Sequence, residues 1–321
     1  MVQKNASRSA SSSQAGSSQA GPSPGSDPKA PAPGGKSPAS LVPGLYICAT
    51  PIGNARDITL RALDALGACD AILAEDTRQT SKLLSIHGIS KPLVTYNDHN
   101  AAGVRPKLLQ RLHSGARLVL VSDAGTPLVS DPGYKLVRSV IEEGLSVFAL
   151  PGASAALTAL TLGGLPTDRF FFAGFLPSRG GERRSAIQNV KAVDATLIFF
   201  ESAQRLGESL ASMAEILGTR EAVVARELTK LHEELRRGTL ASLAAHYAKA
   251  DAPKGEITLL VGPPQEAEPD YARADKLLDS ALAFMPVRAA ADLVAEALDL
   301  PRRALYERAL TRKGVKHEPG A

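Results

Sequence analysis

Short runs of apolar and β-branched residues alternate along this chain with longer segments whose apolar residues recur at helical spacing. The short runs predict buried strands at residues 45–49, 71–74, 118–121, 146–150, 196–200, 222–225 and 257–261. The longer segments predict helices at residues 60–66, 135–143, 206–217 and 240–248, with one more leucine-rich helix before residue 118. Asp57 is expected to cap the first helix. This alternation predicts a parallel sheet with helices on both faces up to about residue 160, followed by a mixed α/β domain.

The central element of the predicted parallel sheet is the stretch LVLVSDAGTPLVSDPG, residues 118–133. Its strand must end at about Ser122, because turn-forming residues follow at once. A single Gly-Pro turn of this kind is usually an ordinary connection between a strand and a helix. Three similar loops, at residues 50–54, 75–78 and 151–156, favour a binding edge instead, since ligands of open α/β sheets lie beyond the carboxyl ends of the strands.

Polar and charged residues at or near the ends of predicted strands are candidates for catalysis. They are Glu75, Asp76, Arg78, His99, Glu201, Glu227 and Lys230. The alternatives are helix capping and pairing of these side chains with each other. None of the loops contains G-x-G-x-x-G or an acidic residue at the usual ribose-binding position, so a nicotinamide enzyme is poorly supported.

Changes of composition divide the 321 residues into four segments. Residues 1–40 are rich in Ser, Pro and Gly with few large apolar side chains, which predicts a disordered tail. Residues 41–164 and 165–264 are predicted as N-terminal and C-terminal α/β domains. Residues 270–313 show three short helical patterns with turns at Met285-Pro286 and Asp299-Leu300, which predicts a module resembling a helix-turn-helix.

Two basic segments are candidates for RNA contact. Residues 178–184 are predicted as a flexible loop in which Arg179, Arg183 and Arg184 offer bidentate contacts to phosphate, the alternative being a solvated loop. From residue 301 onward the basic side chains outnumber the acidic Glu307 and Glu318; they are Arg302, Arg303, Arg308, Arg312, Lys313 and Lys316. Here the alternative is an appendage that serves only packing.

Composition narrows the class of protein further. A net charge of +4 and a pI near 9.0 permit nucleic acid as a partner without requiring it. The two cysteines, Cys48 and Cys69, have no paired spacing and predict buried thiols, with no disulfide or metal implied. No apolar run reaches the roughly 18 residues needed to span a bilayer, and no signal peptide is evident, so the sequence predicts a cytoplasmic protein without a membrane partner.

Several of these strings, taken in order, resemble the motifs of S-adenosylmethionine enzymes with the tetrapyrrole-methylase fold. They lie at residues 50–54, 75–78, 122–133, 151–155 and 174–177. Residues 201–206 and 225–234 are most similar to the branch of this family that methylates a cytidine 2′-hydroxyl in 16S rRNA. Two departures accompany the resemblance: Ala203-Gln204 stands where the family usually has Pro-His, and Asn97 replaces a residue that is commonly His.

The resemblance implies two α/β domains with S-adenosylmethionine in the cleft between them, a helix-turn-helix appendage, and a homodimer that acts on 16S rRNA of the small ribosomal subunit. The positions carried over as cofactor contacts are Pro51, Asp123, Ala124, Gly125, Thr126, Ser154, Ala155 and Leu176. Because a ribose hydroxyl is a weak nucleophile, a base is expected among Glu75, Asp76, His99, Glu201 and Glu227. Arg78 or Lys230 would hold a phosphate or lower a neighbour's pKa. The alternative functions are C-methylation of a tetrapyrrole and nucleic-acid binding without catalysis.

Overall fold

The computed structural model describes residues 41–264 and 270–314. The predicted tail of residues 1–40 lies outside the described residues, as do Lys316 and Glu318. Within the described ranges, no helix is long and apolar enough to cross a membrane.

A parallel sheet of five strands forms the first half of the fold, in the order β3-β2-β4-β1-β5. Its strands are β1 (Gly44–Cys48), β2 (Ala71–Ala74), β3 (Leu93–Thr95), β4 (Arg117–Val121) and β5 (Val147–Leu150). The predicted strand at residues 118–121 is β4, the central strand of the sheet. Strand β3 was not predicted, because this edge strand has only three residues and lies in no longer apolar run.

Helices cover both faces of this sheet, as predicted. They are α1 (Leu60–Ala68), α2 (Thr77–Ile86), α3 (Ala101–His113) and α4 (Tyr134–Glu142). Successive β4 side chains point to opposite faces, so that Val119 packs with α1 and α2 whereas Leu118 packs with α3 and α4. The expected capping role of Asp57 was wrong: it ends a short 3₁₀ turn, and Thr59 Oγ1 caps α1 by accepting a hydrogen bond from the Ala62 N–H (3.2 Å).

The second sheet also has five strands, in the order β6-β7-β10-β8-β9. They are β6 (Phe170–Phe175), β7 (Thr196–Ser202), β8 (Glu221–Arg226), β9 (Glu234–Thr239) and β10 (Glu256–Val261). Only β6 and β7 are parallel, and the other pairs are antiparallel. Neither β6 nor β9 was predicted; β9 is an edge strand whose residues, ELRRGT, are mostly polar.

Four helices pack against the second sheet: α5 (Ala155–Gly163), α6 (Gly180–Asn189), α7 (Leu206–Leu217) and α8 (Leu240–Tyr247). The predicted flexible loop at residues 178–184 was wrong, because residues from Gly180 onward form α6. Although α5 follows β5 in the chain, it packs so closely on the second sheet that a Cβ atom at Gly163 would lie 2.4 Å from Leu260 Cδ1. The proposed domain boundary at residues 164 and 165 stays a prediction.

Three further helices form a small bundle with its own core: α9 (Tyr271–Leu282), α10 (Val287–Leu298) and α11 (Arg302–Arg312). The predicted turn before α11 is present, with Asp299 in the left-handed region (φ 51°). Leu278, Val294 and Leu305 are fully or almost fully buried at the centre of the bundle. The helical spacing of apolar residues in the sequence thus predicted these three helices.

Candidate active site

A cavity of about 850 Å³ opens between the carboxyl edge of the parallel sheet and the second sheet. Its volume lies within the range of about 300–1,000 Å³ that is usual for small-molecule sites. The N-terminal half contributes Ile52, Glu75, Asp123, Ala124, Gly125, Thr126, Val129, Ser130, Asp131, Ser154 and Ala155. The second half contributes Phe175, Phe200, Glu201, Ser202, Ala203, Gln204 and the segment 252–258.

Backbone hydrogen bonds fix the loop that follows β4. The Thr50 N–H donates to the Gly125 carbonyl (2.8 Å) and the Gly125 N–H donates to the Thr50 carbonyl (3.0 Å), which joins the loops after β1 and β4. Thr126 Oγ1 donates to the Ala153 carbonyl (3.2 Å), which adds the loop after β5. Gly125 has φ 81°, a conformation that side chains with a Cβ rarely adopt. Three loops are therefore held together as one wall of the cavity.

The opposite wall follows from the direction of β10. Because β10 runs antiparallel to β7, with Glu256 opposite Ser202, its amino end lies beside the carboxyl end of β7. This places the turn before β10, which includes Lys254 and Gly255, next to Phe200 and Ser202 in the cavity wall. Pro253-Lys254-Gly255 is a turn signal in the sequence, but its place in the site was not predicted, because the direction of β10 is set only by sheet pairing.

Carboxylates dominate the polar lining of the cavity. Burial and the charges of Glu75 and Asp123 raise the pKa of Asp131 to about 7. Burial and the charge of Asp123 also raise the pKa of Glu75. The cavity therefore attracts a positively charged group and disfavours the deep entry of a phosphate.

Glu201, a candidate base, is buried and bound by three donors. Its side chain has no exposed surface and pairs with Arg205 Nη2 (2.6 Å). It also accepts hydrogen bonds from the Ser202 N–H (2.7 Å) and Ser209 Oγ (2.5 Å). Arg205 in turn donates to the Leu176 carbonyl (3.0 Å). This arrangement gives Glu201 a structural role in holding the cavity wall.

Glu227 and Lys230 lie behind the cavity wall, in the loop between β8 and β9. Lys230 Nζ donates to Glu227 (2.8 Å) and to Glu256 (3.1 Å). The hydrogen bond from Lys230 lowers the pKa of Glu227. Burial opposes the charge of Lys230, but its bonds to Glu227 and Glu256 outweigh burial and raise its pKa. A Cβ at Gly255 would lie 2.3 Å from Glu227 Oε1, so the contact requires glycine there.

The three remaining catalytic candidates, Asp76, Arg78 and His99, are not among the described residues that line the cavity. Asp76 caps α2 and binds Arg78 through two hydrogen bonds (3.0 and 2.7 Å). The hydrogen bond from Arg78 lowers the pKa of Asp76 to about 2. His99 is exposed in the turn before α3.

Comparison with known proteins places this geometry in a family. The sequence profile of the tetrapyrrole (corrin/porphyrin) methylases matches residues 44–244, and that of the RsmI C-terminal HTH domain matches residues 268–313. Ribosomal RNA small subunit methyltransferase I of Erythrobacter litoralis is 55% identical over 273 residues, 85% of this chain and 96% of that protein. The chain belongs to the ribosomal RNA small subunit methyltransferase I family.

Other members of the family are similar over the same length. The protein of that name from Mesorhizobium japonicum is 51% identical over 279 residues, 87% of this chain and 95% of that protein. The one from Escherichia coli O157:H7 is 46% identical and covers 84% and 96%. A crystal structure of diphthine synthase shares the fold, with a TM-score of 0.54 at 17% identity over 68% of this chain and 89% of that one. The predicted family and fold class are thereby confirmed.

The chain is thus a methyltransferase, and S-adenosylmethionine is its methyl donor. The cavity fits this cofactor in volume, in its acidic lining and in its mixture of hydroxyl and apolar groups. Six of the eight positions carried over from the family line it: Asp123, Ala124, Gly125, Thr126, Ser154 and Ala155. Pro51 lies between two residues of the loop wall, and Leu176 is buried beside Phe175 with its carbonyl bound to Arg205.

The family departures fall in different places. Ala203 and Gln204 form a 3₁₀ turn in the cavity wall, with Ala203 buried. Asn97 exchanges hydrogen bonds with Asn100 before α3, since each backbone N–H donates to the other's side chain (3.0 and 3.3 Å). Residues 203 and 204 therefore lie in the site itself, whereas Asn97 makes local contacts before α3.

The five arginines predicted to contact RNA differ in exposure. Arg302 and Arg303 lie in the first turn of α11 with 71% and 93% of their side chains exposed, and they pair with Asp292 (3.8 Å) and Glu307 (3.2 Å). Arg179 is exposed and pairs with Glu182, and Arg184 pairs with Glu215. Arg183 is buried and donates to Glu208 (3.0 Å). Its contact with Glu208 is structural, and a role of any of these arginines toward RNA stays a prediction.

Proposed function

We propose that this chain transfers a methyl group from S-adenosylmethionine to the 2′-hydroxyl of a cytidine ribose in 16S rRNA of the small ribosomal subunit. The observation that carries the proposal is the acidic cavity between the two sheets, joined in one chain to a three-helix module with exposed arginines. Identity of 55% to a protein named for methylating small-subunit ribosomal RNA supports the substrate.

The lining residues account for the chemistry. S-adenosylmethionine supplies an electrophilic methyl group on a positively charged sulfur. The loop wall of Gly125, Thr126 and Ser154 would hold the cofactor, and the carboxylates of Glu75, Asp123 and Asp131 favour its positive charge. Holding the ribose oxygen in line with the methyl group and excluding water are the main tasks of such a site. Phe175 and Phe200 provide an apolar wall for this purpose.

The first turn of α11 is the proposed RNA contact outside the cavity. In helix-turn-helix modules the amino end of the helix that follows the turn approaches the nucleic acid. Here that helix is α11, which follows the turn at Asp299. Arg302 and Arg303 occupy the first turn of α11 and make exposed ion pairs with Asp292 and Glu307. Arg308 and Arg312 are less exposed and are held by Asp275 inside the module. The weak surface pairs of Arg179 and Arg184 exchange readily for phosphate, since an exposed pair contributes only about 0–1 kcal/mol.

The reaction is tested by supplying labelled S-adenosylmethionine with unmodified small ribosomal subunits or free 16S rRNA, then mapping alkali-resistant linkages. We expect one new resistant cytidine. A protein that binds the cofactor but labels neither RNA would refute the proposal, and tetrapyrroles would be tested next.

For the module, Arg302→Ala combined with Arg303→Ala should weaken subunit binding and reduce its salt dependence, whereas Arg138→Ala, in an exposed pair on α4, should not.

A homodimer in the cytoplasm completes the proposal. Outside the cavity, the edge strand β6 carries two large exposed aromatic side chains, Phe170 and Phe171, which are 46% and 42% exposed. Exposed apolar side chains on an edge strand are suited to association with a second chain. Sedimentation equilibrium should give twice the chain mass of 33.6 kDa, and a monomer at micromolar concentration would contradict the dimer.

A further inference from the structure

Asp131 lies in the turn-rich loop that follows β4, and its surroundings set it apart from the other carboxylates of the cavity. It is half-buried, and it lines the cavity together with Val129 and Ser130. The same loop reaches the second sheet, because a Cβ at Gly174 of β6 would lie 3.5 Å from Ser130 Oγ. Asp131 therefore lies where the two halves of the cavity meet.

The backbone around Asp131 is strained and firmly held. Leu128 (φ 74°) and Ser130 (φ 66°) adopt left-handed conformations although neither is glycine. Such residues cost about 1–3 kcal/mol each and occur mostly at functional sites. Gly133 closes the loop so tightly that a Cβ there would lie 2.7 Å from Leu120 Cδ2. The loop thus presents Asp131 in a fixed position.

Most other cavity carboxylates have a charged or backbone N–H donor, whereas the donor within hydrogen-bond reach of Asp131 is the hydroxyl of Ser122. Glu201 is bound by Arg205 and two further donors, and Glu256 pairs with Lys230. Asp123 accepts a hydrogen bond from the Asp76 N–H (3.0 Å). Within residues 41–264 and 270–314, neither Glu75 nor Asp131 pairs with a lysine or arginine. Of these two, Glu75 directly follows β2 and lies on the parallel-sheet side of the cavity. The loop that carries Asp131 also reaches the second sheet.

We propose that Asp131 is a catalytic residue that accepts the proton of the target ribose hydroxyl, an inference that rests on the proposed function. In the step, a lone pair of the 2′-oxygen forms the new O–CH₃ bond as the S–CH₃ bond breaks. The electron pair of that bond stays on sulfur, which becomes a neutral thioether. The hydroxyl proton moves to the Asp131 carboxylate, so charge and atoms balance.

The titration of Asp131 agrees with this role. Burial, together with Glu75 from the end of β2 and Asp123 from the end of β4, raises its pKa to about 7. Lys254, Glu201 and Glu256 are the charged groups that line the cavity from the second sheet. A base with a pKa close to the working pH is the most effective proton acceptor. Because the carboxylate must be ionised to act, the rate should rise with pH through about 7 and then level off.

The test compares Asp131→Asn with the wild-type protein in methyl transfer to unmodified small subunits. We expect kcat to fall about 10²- to 10⁴-fold, the usual contribution of a general base. Affinity for S-adenosylmethionine, measured by calorimetry, should change by less than about tenfold. The pH dependence of kcat/KM below pH 7 should disappear in Asp131→Asn, and Asp131→Glu should restore part of the rate. Asp64→Asn, which alters an exposed carboxylate of α1, is the matched control.

Each outcome decides the question. The role of Asp131 is overturned if Asp131→Asn keeps the wild-type kcat, or if the rate of the wild-type protein does not change between pH 5 and 8. Either result leaves the proposed function intact. If Glu75→Gln removes the pH dependence and Asp131→Asn does not, the base is Glu75. A wild-type protein that methylates no RNA refutes the proposed function and this inference together. Circular dichroism of each variant shows whether a lost rate reflects unfolding, and the wild-type pH profile needs no variant.

Discussion

The buried pair of Glu201 and Arg205 allows a quantitative prediction about how the cavity wall is held. Replacing Arg205 by Met keeps much of the side-chain volume but removes the positive charge. Glu201, with no exposed surface, is then left as a buried carboxylate whose charge has no partner. Breaking a buried pair in this way costs about 3–5 kcal/mol. Because Arg205 itself is 26% exposed, some water can reach the vacated space, so we expect about 3 kcal/mol.

The reverse substitution, Glu201→Gln, should cost less. A glutamine oxygen still accepts the hydrogen bond from the Ser202 N–H, and the partly exposed Arg205 can be hydrated. The loss is then close to that of one charge-assisted hydrogen bond, about 1.5–3 kcal/mol. Removing Arg205 should therefore destabilise the protein more than removing the charge of Glu201, and the double variant should be less destabilised than the two losses added together.

Urea unfolding followed by circular dichroism measures these free energies from the midpoints and slopes of the transitions. Arg205→Met should also weaken binding of S-adenosylmethionine, because Arg205 donates to the carbonyl of Leu176, next to Phe175 of the cavity wall. A loss below about 1 kcal/mol for Arg205→Met, which is typical of an exposed ion pair, would refute the reasoning. So would an Arg205→Met loss no larger than that of Glu201→Gln.

Three further predictions concern close contacts and charge. Gly53→Ala should destabilise the protein and weaken cofactor binding, because its Cβ would lie 2.4 Å from Lys230 Cγ and push the loops of the two halves apart; denaturation and calorimetry measure both effects. Gly133→Ala should reduce stability by about 1–3 kcal/mol, since its φ of 133° is strained for alanine. Asp275→Asn should destabilise the helical module by about 2 kcal/mol at pH 7, because hydrogen bonds from its arginine partners lower the Asp275 pKa to about 2; this contribution is present above pH 4 and lost as pH falls toward 2.

Matched controls separate these causes. Gly67→Ala, in helix α1 with no neighbouring atom within 4 Å of the new Cβ, should stabilise the protein by about 0.5–1 kcal/mol. Gly144→Ala has a strained φ of 70° but no steric contact, so a cost equal to that of Gly133→Ala would show that the contact with Leu120 contributes nothing. An Asp275→Asn variant whose stability deficit is the same at pH 7 and near pH 2 would contradict the assigned ion pairs.

Much of the fold could be read from local sequence. The apolar run at residues 118–121 and the turn residues after it predicted the central strand and the loop wall, and six of the eight carried-over cofactor positions line the cavity. Strands β3 and β9 were not predicted, because a short edge strand with a polar or mixed sequence has no distinctive periodicity. Helix α6 was not predicted, because its Gly-Gly start is typical of a loop. In the structure, burial of Ile187 against the second sheet stabilises the segment as a helix.

The sequence alone could not decide which charged residues belong to the site. Its candidates were acidic and basic residues at strand ends, and by that criterion Glu75, Glu201 and Glu227 are equivalent. Their partners distinguish them: Arg205 binds Glu201 inside the wall, Lys230 binds Glu227 behind it, and Glu75 faces the cavity. Arg205 is 4 positions from Glu201 and Lys230 is 3 positions from Glu227, whereas Glu256 is 26 positions from Lys230. Only the first two pairs are close enough in sequence to be visible as local patterns.

The chain by itself therefore determined its seven more apolar strands, its glycine-rich loops and its helical module, because these depend on residues close in sequence. Tertiary structure alone decided the role of each carboxylate, because burial and pairing depend on segments brought together from distant positions. The antiparallel pairing of β10 with β7 brings the turn at Lys254 to the cavity, and the loop after β4 brings Asp131 beside Glu75 and Asp123. A carboxyl group acquires a pKa of about 7 only in such surroundings, which no local sequence pattern records.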